Sequence, residues 1–304
     1  MNKVMSMSEA IEGFIEDGNS VALGMALEPL IPFSAGHEII RQKKRDLTLI
    51  GPISDILFDQ MVGAGSVGKL VMAWAGNVMM GVGYSLRRAV ERAVPRPIEV
   101  EDSTNFVICL ALSAGAMGIP FLPTKTLLGT DMLRYNENLR EMACPYTGER
   151  LALIPAITPD VAIIHAQRAD TTGNTHLWGS TGIVKEACLA SHRVIVSVEE
   201  IVDREVIVSD PNRTTVPGFV VSAVVHEPWG AHPSPVQGYY DRDHECYKRY
   251  HEETRTEKGF ARWVDQWVYG LKNRSEYLGL VGEERLKQLQ VERSHQAGPV
   301  EYGY

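Results

Sequence analysis

DLTLIGPISDILFDQMVGAGSVGKLVMAWAG (46–76) decides the fold. It reads as strand, turn, helix, strand. LTLI is a continuous apolar run closed by Gly51 and Pro52, the pattern of a strand buried on both faces. SDILFDQMV (54–62) carries apolar residues at helical spacing, and Ser54 stands where a hydroxyl caps a first turn. KLVMAWAG (69–76) is a second buried-strand run, again stopping at glycine. A helix between two such strands returns the chain to the end where it started, so the strands lie parallel.

The same unit repeats outward in both directions. Upstream, SEAIEGFIEDG (8–18) predicts a helix capped by Ser6 or Ser8 and stopped at Gly18. SVALG (20–24) predicts a strand, and a proline-flanked turn leads to a helix over 34–42. Downstream, an amphipathic helix over 85–92 is separated by Pro95 and Pro97 from IEVEDSTNFVICLALSAGAMGIPFLPTKTLLGTD (98–131). That stretch opens as an acidic strand with Glu99, Glu101 and Asp102. Ser103 or Thr104 then caps a helix from Asn105 to about Ala114, ending at Gly115 or Gly118. The helix is apolar on nearly every face, which predicts burial on most sides. Phe121 and Leu122 form an extended piece between Pro120 and Pro123, and TKTLLGTD is a polar loop.

In the second half, VAIIHA (161–166) and VIVSV (194–198) read as buried strands, with a helix within 180–191. A short strand is expected over 205–208 and a strong one over GFVVSAVVH (218–226). A loop rich in proline and glycine follows. From Tyr240 the chain turns helical and charged, with Trp263, Trp267 and Leu271 on one apolar face. SHQAGPVEYGY (294–304) reads as a loose end. The fold class is therefore α/β, a mostly parallel sheet with helices on both faces plus C-terminal helices. We expect an α/β domain over 1–238. Residues 239–304 would pack as helices on that domain or on a partner chain; an aromatic face of Trp263, Trp267 and Tyr277 suits either.

Composition narrows the function. The 304 residues carry a net charge of −8, and no basic block exceeds Lys43-Lys44-Arg45, which argues against nucleic-acid binding. The four cysteines are widely spaced without CxxC, so neither a disulfide framework nor a zinc knuckle is indicated. No signal peptide is evident, and the longest apolar run, 106–122, is broken by Gly115, Gly118 and Pro120, too early for a membrane span. These features predict a cytoplasmic protein with no membrane association.

The short motifs are ambiguous. GAGSVG (63–68) matches GxGxxG but precedes a strand, whereas a dinucleotide fingerprint follows one. GVGYSLRR (81–88) opens a helix and is either an anion site or a turn. GMALEP (24–29) is either a tight turn or a site loop. A carboxylate such as Glu101 beside an apolar helix is either an acid–base group with a raised pKa or a solvated rim residue. ADTTGN (169–174) is either a functional loop or a turn held by Asp170 and Asn174. HExxH and GxSxG are absent, and no metal site is suggested.

Several stretches together resemble one family. IEDGNSVALG (15–24), IEVED (98–102) with AGAMGIPFLPTKTLLGTDML (114–133), DVAIIHAQRADTTGN (160–174), VIVSVEEIV (194–202) and GAHPSPVQGYY (230–240) are similar to family I coenzyme A-transferase α subunits. The likeness is to the branch of the glutaconate CoA-transferase α subunit and spans roughly residues 8 to 280. One departure is Gly24-Met25-Ala26, where that family has Gly-Gly-Phe. The resemblance implies a Rossmann-like fold and a β-type CoA-transferase partner, in an αβ or α2β2 complex. It also implies acyl-CoA and a carboxylic acid as substrates, with no bound cofactor beyond the coenzyme A thioester. In the family a β-chain glutamate attacks the thioester and becomes a glutamyl-CoA thioester, so this chain would lack the nucleophile. Its share would be the acyl-pocket wall: Gly24, Met25, Glu28, Trp74, Asn77, Asn105, Thr124 and Lys125. A similar branch hydrolyses steroid-ring CoA thioesters with an acid close to where this chain has Asn105, whose amide cannot act as a base. On that hydrolase or lyase reading, Glu101 would be the catalytic residue.

Overall fold

The computed structural model describes residues 2–291; the segment 294–304 lies outside the described residues. Twelve strands and twelve α-helices follow one another among them. The helix α1 (Met7–Phe14) carries a capping box: the Ser6 hydroxyl accepts from the Glu9 amide, and the Glu9 carboxylate accepts from the Ser6 amide. Then come β1 (Ser20–Ala22), α2 (Phe33–Arg41), β2 (Leu47–Ile53), α3 (Asp55–Gly63), β3 (Val67–Trp74), α4 (Tyr84–Arg92), β4 (Glu99–Asp102) and α5 (Asn105–Met117). An insert holds β5 (Phe121–Thr124), α6 (Met132–Tyr135), β6 (Arg140–Ala143) and β7 (Arg150–Pro155). The sheet resumes with β8 (Val161–Ala169), β9 (Thr175–His176), α7 (Val184–Ala190), β10 (Arg193–Ile201), α8 (Arg204–Val208), β11 (Thr214–Val216) and β12 (Ala223–His226). The helices α9 (His244–Glu253), α10 (Glu257–Val264), α11 (Arg274–Val281) and α12 (Glu283–Leu289) finish the described chain.

Seven strands pair in parallel in the order β12-β10-β8-β1-β2-β3-β4. The short β9 and β11 add antiparallel pairs at the end of β8. Chain order reverses between β1 and β8. Both faces of the central strands β1, β2, β8 and β10 are largely buried, as their apolar runs require, while β3 and β4 are more open. Val21, Leu49 and Ile163 pack with α1–α3 and the C-terminal helices; Ala22, Ile50 and Ile164 pack on the other face with α5 and α7.

Four expectations need correction. The segment 205–208 is helical, because so short an apolar run has no period to separate the two states. Over 218–226 the chain first makes a 3₁₀ turn at Gly218–Val220, and sheet pairing begins at Ala223. Ser54 does not cap α3. Its hydroxyl donates instead to the Leu23 carbonyl at 2.9 Å, and a Cβ at Gly24 or Gly51 would fall 2.4 Å from its Oγ. Finally, α5 runs on to Met117 and packs on two sides, Ile108 and Leu112 toward the sheet and Val107 and Ala111 toward the insert, leaving only a stripe in water. Val107, Ile108, Ala111 and Leu112 face inward, while Phe106 and Met117 are 49% and 58% exposed.

The sequence does not announce the insert as a unit. Its strands form an antiparallel sheet, β5-β7-β6, whose Ala152 and Ile154 meet Val107 and Ala111 of α5. Trp263, Trp267 and Tyr277 are buried in the same core as Val21 and Leu49, so this aromatic face is internal rather than free for a partner. No helix among the described residues is long and apolar enough to cross a membrane.

Candidate active site

In a parallel sheet the crevice beyond the strand ends, where the order reverses, is the default ligand site. Here that place beside β1 is filled by the chain itself. Gly24 holds φ +67, Met25 is buried, and the Met25 carbonyl accepts from the Ile183 amide at 2.8 Å. A Cβ at Gly182 would lie 2.2 Å from that carbonyl, so the two loops close on each other.

An open cleft lies instead where β2, β3 and β4 meet α5 and the insert. Its volume is about 390 Å³. Register explains its floor. Lys69 stands opposite Thr48 and Glu99, and Val71 stands opposite Ile50 and Glu101, so all six point to the α5 side. The Lys69 ammonium bridges Glu99 Oε1 at 2.8 Å and Glu101 Oε2 at 2.9 Å. Asn136 of the insert donates toward Glu101 Oε1 at 3.5 Å. The roof is apolar, with Val107, Ile108 and Ala111 of α5 and Ile154 of β7. The Thr104 hydroxyl accepts from the Val107 amide at 3.1 Å and fixes the helix start over the cleft.

Burial alone would raise the Glu101 carboxyl. The hydrogen bond from Lys69, with those from Asn138 and Asn136, outweighs burial and leaves the carboxyl below its ordinary value. Of the two alternatives the sequence leaves open, the raised pKa is not found, and Glu101 is an ion-paired carboxylate at neutral pH. Lys69 is raised in turn: desolvation lowers it, but the bonds to Glu99 and Glu101 prevail.

Of the nine residues singled out in the sequence, Glu101 lines the cleft and the other eight do not. Gly24 and Met25 lie in the filled crevice. Glu28 reaches the surface and pairs with Arg242 at 2.7 Å. Trp74, half-buried, ends β3. Asn77 is buried and fully used: its amide donates to the Tyr247 carbonyl, and its oxygen accepts from the Met79 and Met80 amides. Asn105 is exposed at the first turn of α5. Thr124 ends β5 and Lys125 follows it, paired to Glu149 at 2.7 Å.

Sequence reasoning misses Lys69, Asn136 and Asn138. Lys69 has one visible signal, a charge opening an apolar strand. Asp55 is missed as well. It has φ +53, is buried, and its Oδ1 accepts from the Val78 amide at 3.0 Å. Its Oδ2 and the Tyr247 hydroxyl are both buried beside each other. Burial pushes its carboxyl up to about 6, against the pull of the neighbouring Tyr247 and the Val78 amide.

Other motifs resolve into structure. The four ADTTGN bonds to Asp170, from the Thr172 and Asn174 amides and side chains, use its carboxylate entirely. At GVGYSLRR the start of α4 is already occupied by the chain's own Asp59, whose Oδ1 accepts from the Leu86 amide at 2.7 Å. Ser197, His165 and Glu199 form a hydrogen-bonded row of 2.9 and 2.7 Å, but all are buried in the sheet, where no substrate reaches.

A family model described as Coenzyme A transferase matches residues 4–227. The A-type subunit of 3-oxoadipate CoA-transferase from Pseudomonas knackmussii is 41% identical, over 93% of this chain and 99% of that one. The A-type subunit of glutaconate CoA-transferase from Acidaminococcus fermentans is 33% identical, over 96% of this chain and 95% of its own length. The crystal structure of that glutaconate enzyme superposes with a TM-score of 0.90, covering 95% of this chain and 96% of the other. A variant of the decarboxylase AibA/AibB superposes at 0.75 with 31% identity, covering 87% of this chain and 100% of that one.

Proposed function

We propose a division of labour for this chain, which belongs to the coenzyme A transferase family and is the α subunit of a heteromeric CoA-transferase: it shapes the acyl site, and its β-type partner supplies the nucleophile. CoA-transferases take CoA thioesters as substrates. The acyl group proposed is that of a dicarboxylic acid of the 3-oxoadipate or glutaconate kind, by likeness to the two named relatives. The cleft between α5, the insert and β2–β4 is the proposed place for its chain. The same reading puts the enzyme in the cytoplasm, in an αβ or α2β2 assembly.

The chemistry needs one free carboxylate. The partner's glutamate oxygen attacks the thioester carbonyl, the C–S bond breaks, and CoA leaves as thiolate, giving a mixed anhydride. The thiolate attacks the glutamyl carbonyl and expels the first acid as carboxylate. The acceptor acid then repeats both steps in reverse. The anhydride must be kept from water, which an apolar roof over the site helps to do. The observation that carries this reading is the bond of Glu101 to Lys69: the carboxylate at the cleft floor is engaged, which supports an attacking carboxylate supplied by the partner. Exchange of CoA between a dicarboxylic acyl-CoA and a second acid by the purified pair tests it. Absence of exchange with every dicarboxylic acid tried would sink it.

The structural likeness to a decarboxylase favours a second reading, a hydrolase or lyase on the same scaffold. It predicts product without any acceptor acid, and there Glu101 would be the working carboxylate.

A further inference from the structure

A second cavity, of about 230 Å³, opens beside β12. The parallel order places β12 at the opposite edge of the sheet from β4 and Glu101. Three helix starts converge on it: Ser6, Met7 and Ser8 of α1, Ser34 of α2, and Asn273 and Arg274 of α11. Several of their first amides are already used, those of Glu9 by Ser6, Ser34 by the Gly230 carbonyl and Glu276 by Asn273, so what each start lends the cavity is the positive end of its dipole.

Two residues that line it each carry an unused donor. Ser34 is 5% exposed and Arg274 is 6% exposed. The Ser34 hydroxyl and the Arg274 Nη1 have no hydrogen-bond partner. Arg274 is otherwise fixed: Nε and Nη2 donate to the Trp229 carbonyl at 3.1 and 2.6 Å, and Nη2 also donates to the His232 carbonyl at 2.6 Å. A buried guanidinium nitrogen and a buried hydroxyl left without acceptors are costly unless a ligand supplies them. The charges agree. Glu38 is engaged by Arg41 and by Gln42. Burial pushes Glu227 up to about 6, with Glu38 and Glu199 adding to the rise and Arg274 and Arg41 opposing it. An arriving anion therefore meets Arg274 and Lys272 beside a carboxyl that takes a proton readily.

We propose that this cavity is a binding site for a small carboxylate, held by Arg274 Nη1 and the Ser34 hydroxyl at the joined starts of α1, α2 and α11, separate from the acyl cleft. Two free donors match two carboxylate oxygens. A tetrahedral phosphate would leave further oxygens against Glu38 and Glu227.

Calorimetric titration of the intact α–β complex with acetate, succinate and inorganic phosphate tests this, using Ser34→Ala and Glu227→Gln. A binding step for acetate or succinate is expected that Ser34→Ala weakens about tenfold, the loss of one hydrogen bond to a charged ligand. Glu227→Gln is expected to tighten it, since a negative charge leaves the wall. CoA exchange at saturating substrates stays unchanged in both. Isotherms for both acids that neither variant alters overturn the proposal, as does phosphate binding more tightly than either acid. Glu227→Gln keeps the test alive should Ser34→Ala fail to fold.

Discussion

Glu101 illustrates how far a single residue can be read. Its type and its place at a strand end are legible at once. Its partner is not, because Lys69 precedes it by a whole helix and meets it only through the pairing of β3 with β4. Sequence spacing carries no information on cross-strand register until the strand order is known. Replacing Glu101 by Gln should leave CoA exchange within about tenfold of the parent and cost about 1 kcal/mol of stability, as partly buried pairs do. Measured kcat/KM of the pair decides; loss of all turnover would transfer the chemistry to this carboxylate. Asp55 is the opposite case, a residue whose importance only structure reveals. Its folded pKa of about 6 lies above its unfolded value of 3.8, so the native state binds the extra proton. Its contribution to stability is complete below 3.8 and lost as pH rises through 6. Asp55→Asn keeps the acceptor for the Val78 amide, tolerates the positive φ and cannot ionise. It should raise Tm by several degrees at about pH 8, on the order of 2 kcal/mol, and change it little at about pH 4. Equal shifts at both pH values would refute the assignment.

At the scale of elements, the legible strands are those whose burial is complete. VAIIHA and VIVSV are sealed on both faces and LTLI nearly so, with Thr48 alone half-buried at the cleft, and sequence marks that plainly. Within the insert, β6 is illegible for the same reason inverted: Arg140–Ala143 is exposed throughout, so it has neither an apolar run nor a buried face to announce it. Yet the insert makes one wall of the cleft, and α5 is pinned between it and the sheet. Gly115 sets that distance. A Cβ there would fall 2.2 Å from the Ile157 carbonyl and 3.1 Å from Ala190 Cβ. Gly115→Ala should therefore push α5 off its seat, costing roughly 1–3 kcal/mol and lowering kcat/KM more than stability alone explains. A variant with parental Tm and activity would show that the contact yields freely.

The molecule as a whole is half of an enzyme. The aromatic residues that suggest a partner face in the sequence, Trp263, Trp267 and Tyr277, turn inward and complete the core. Large apolar side chains left in water lie elsewhere, with Phe106 and Met117 on α5, then Ile119 and Phe121 just beyond it. That surface borders the cleft and is where we expect the β subunit to sit, since exposed apolar surface of this kind marks association. Met117→Lys combined with Phe121→Lys should abolish copurification of the β chain while the α chain keeps its Tm. Intact copurification would place the partner on another face. On the proposed division of labour this chain shapes the site and its partner carries the covalent step. Borohydride reduction tests it most directly. The pair is incubated with acyl-CoA, reduced, digested and searched by mass spectrometry for the modified glutamate. One reduced glutamate is expected, on the β subunit, with inactivation. Consumption of acyl-CoA with no modified residue, or a modified carboxylate on this chain, would contradict it.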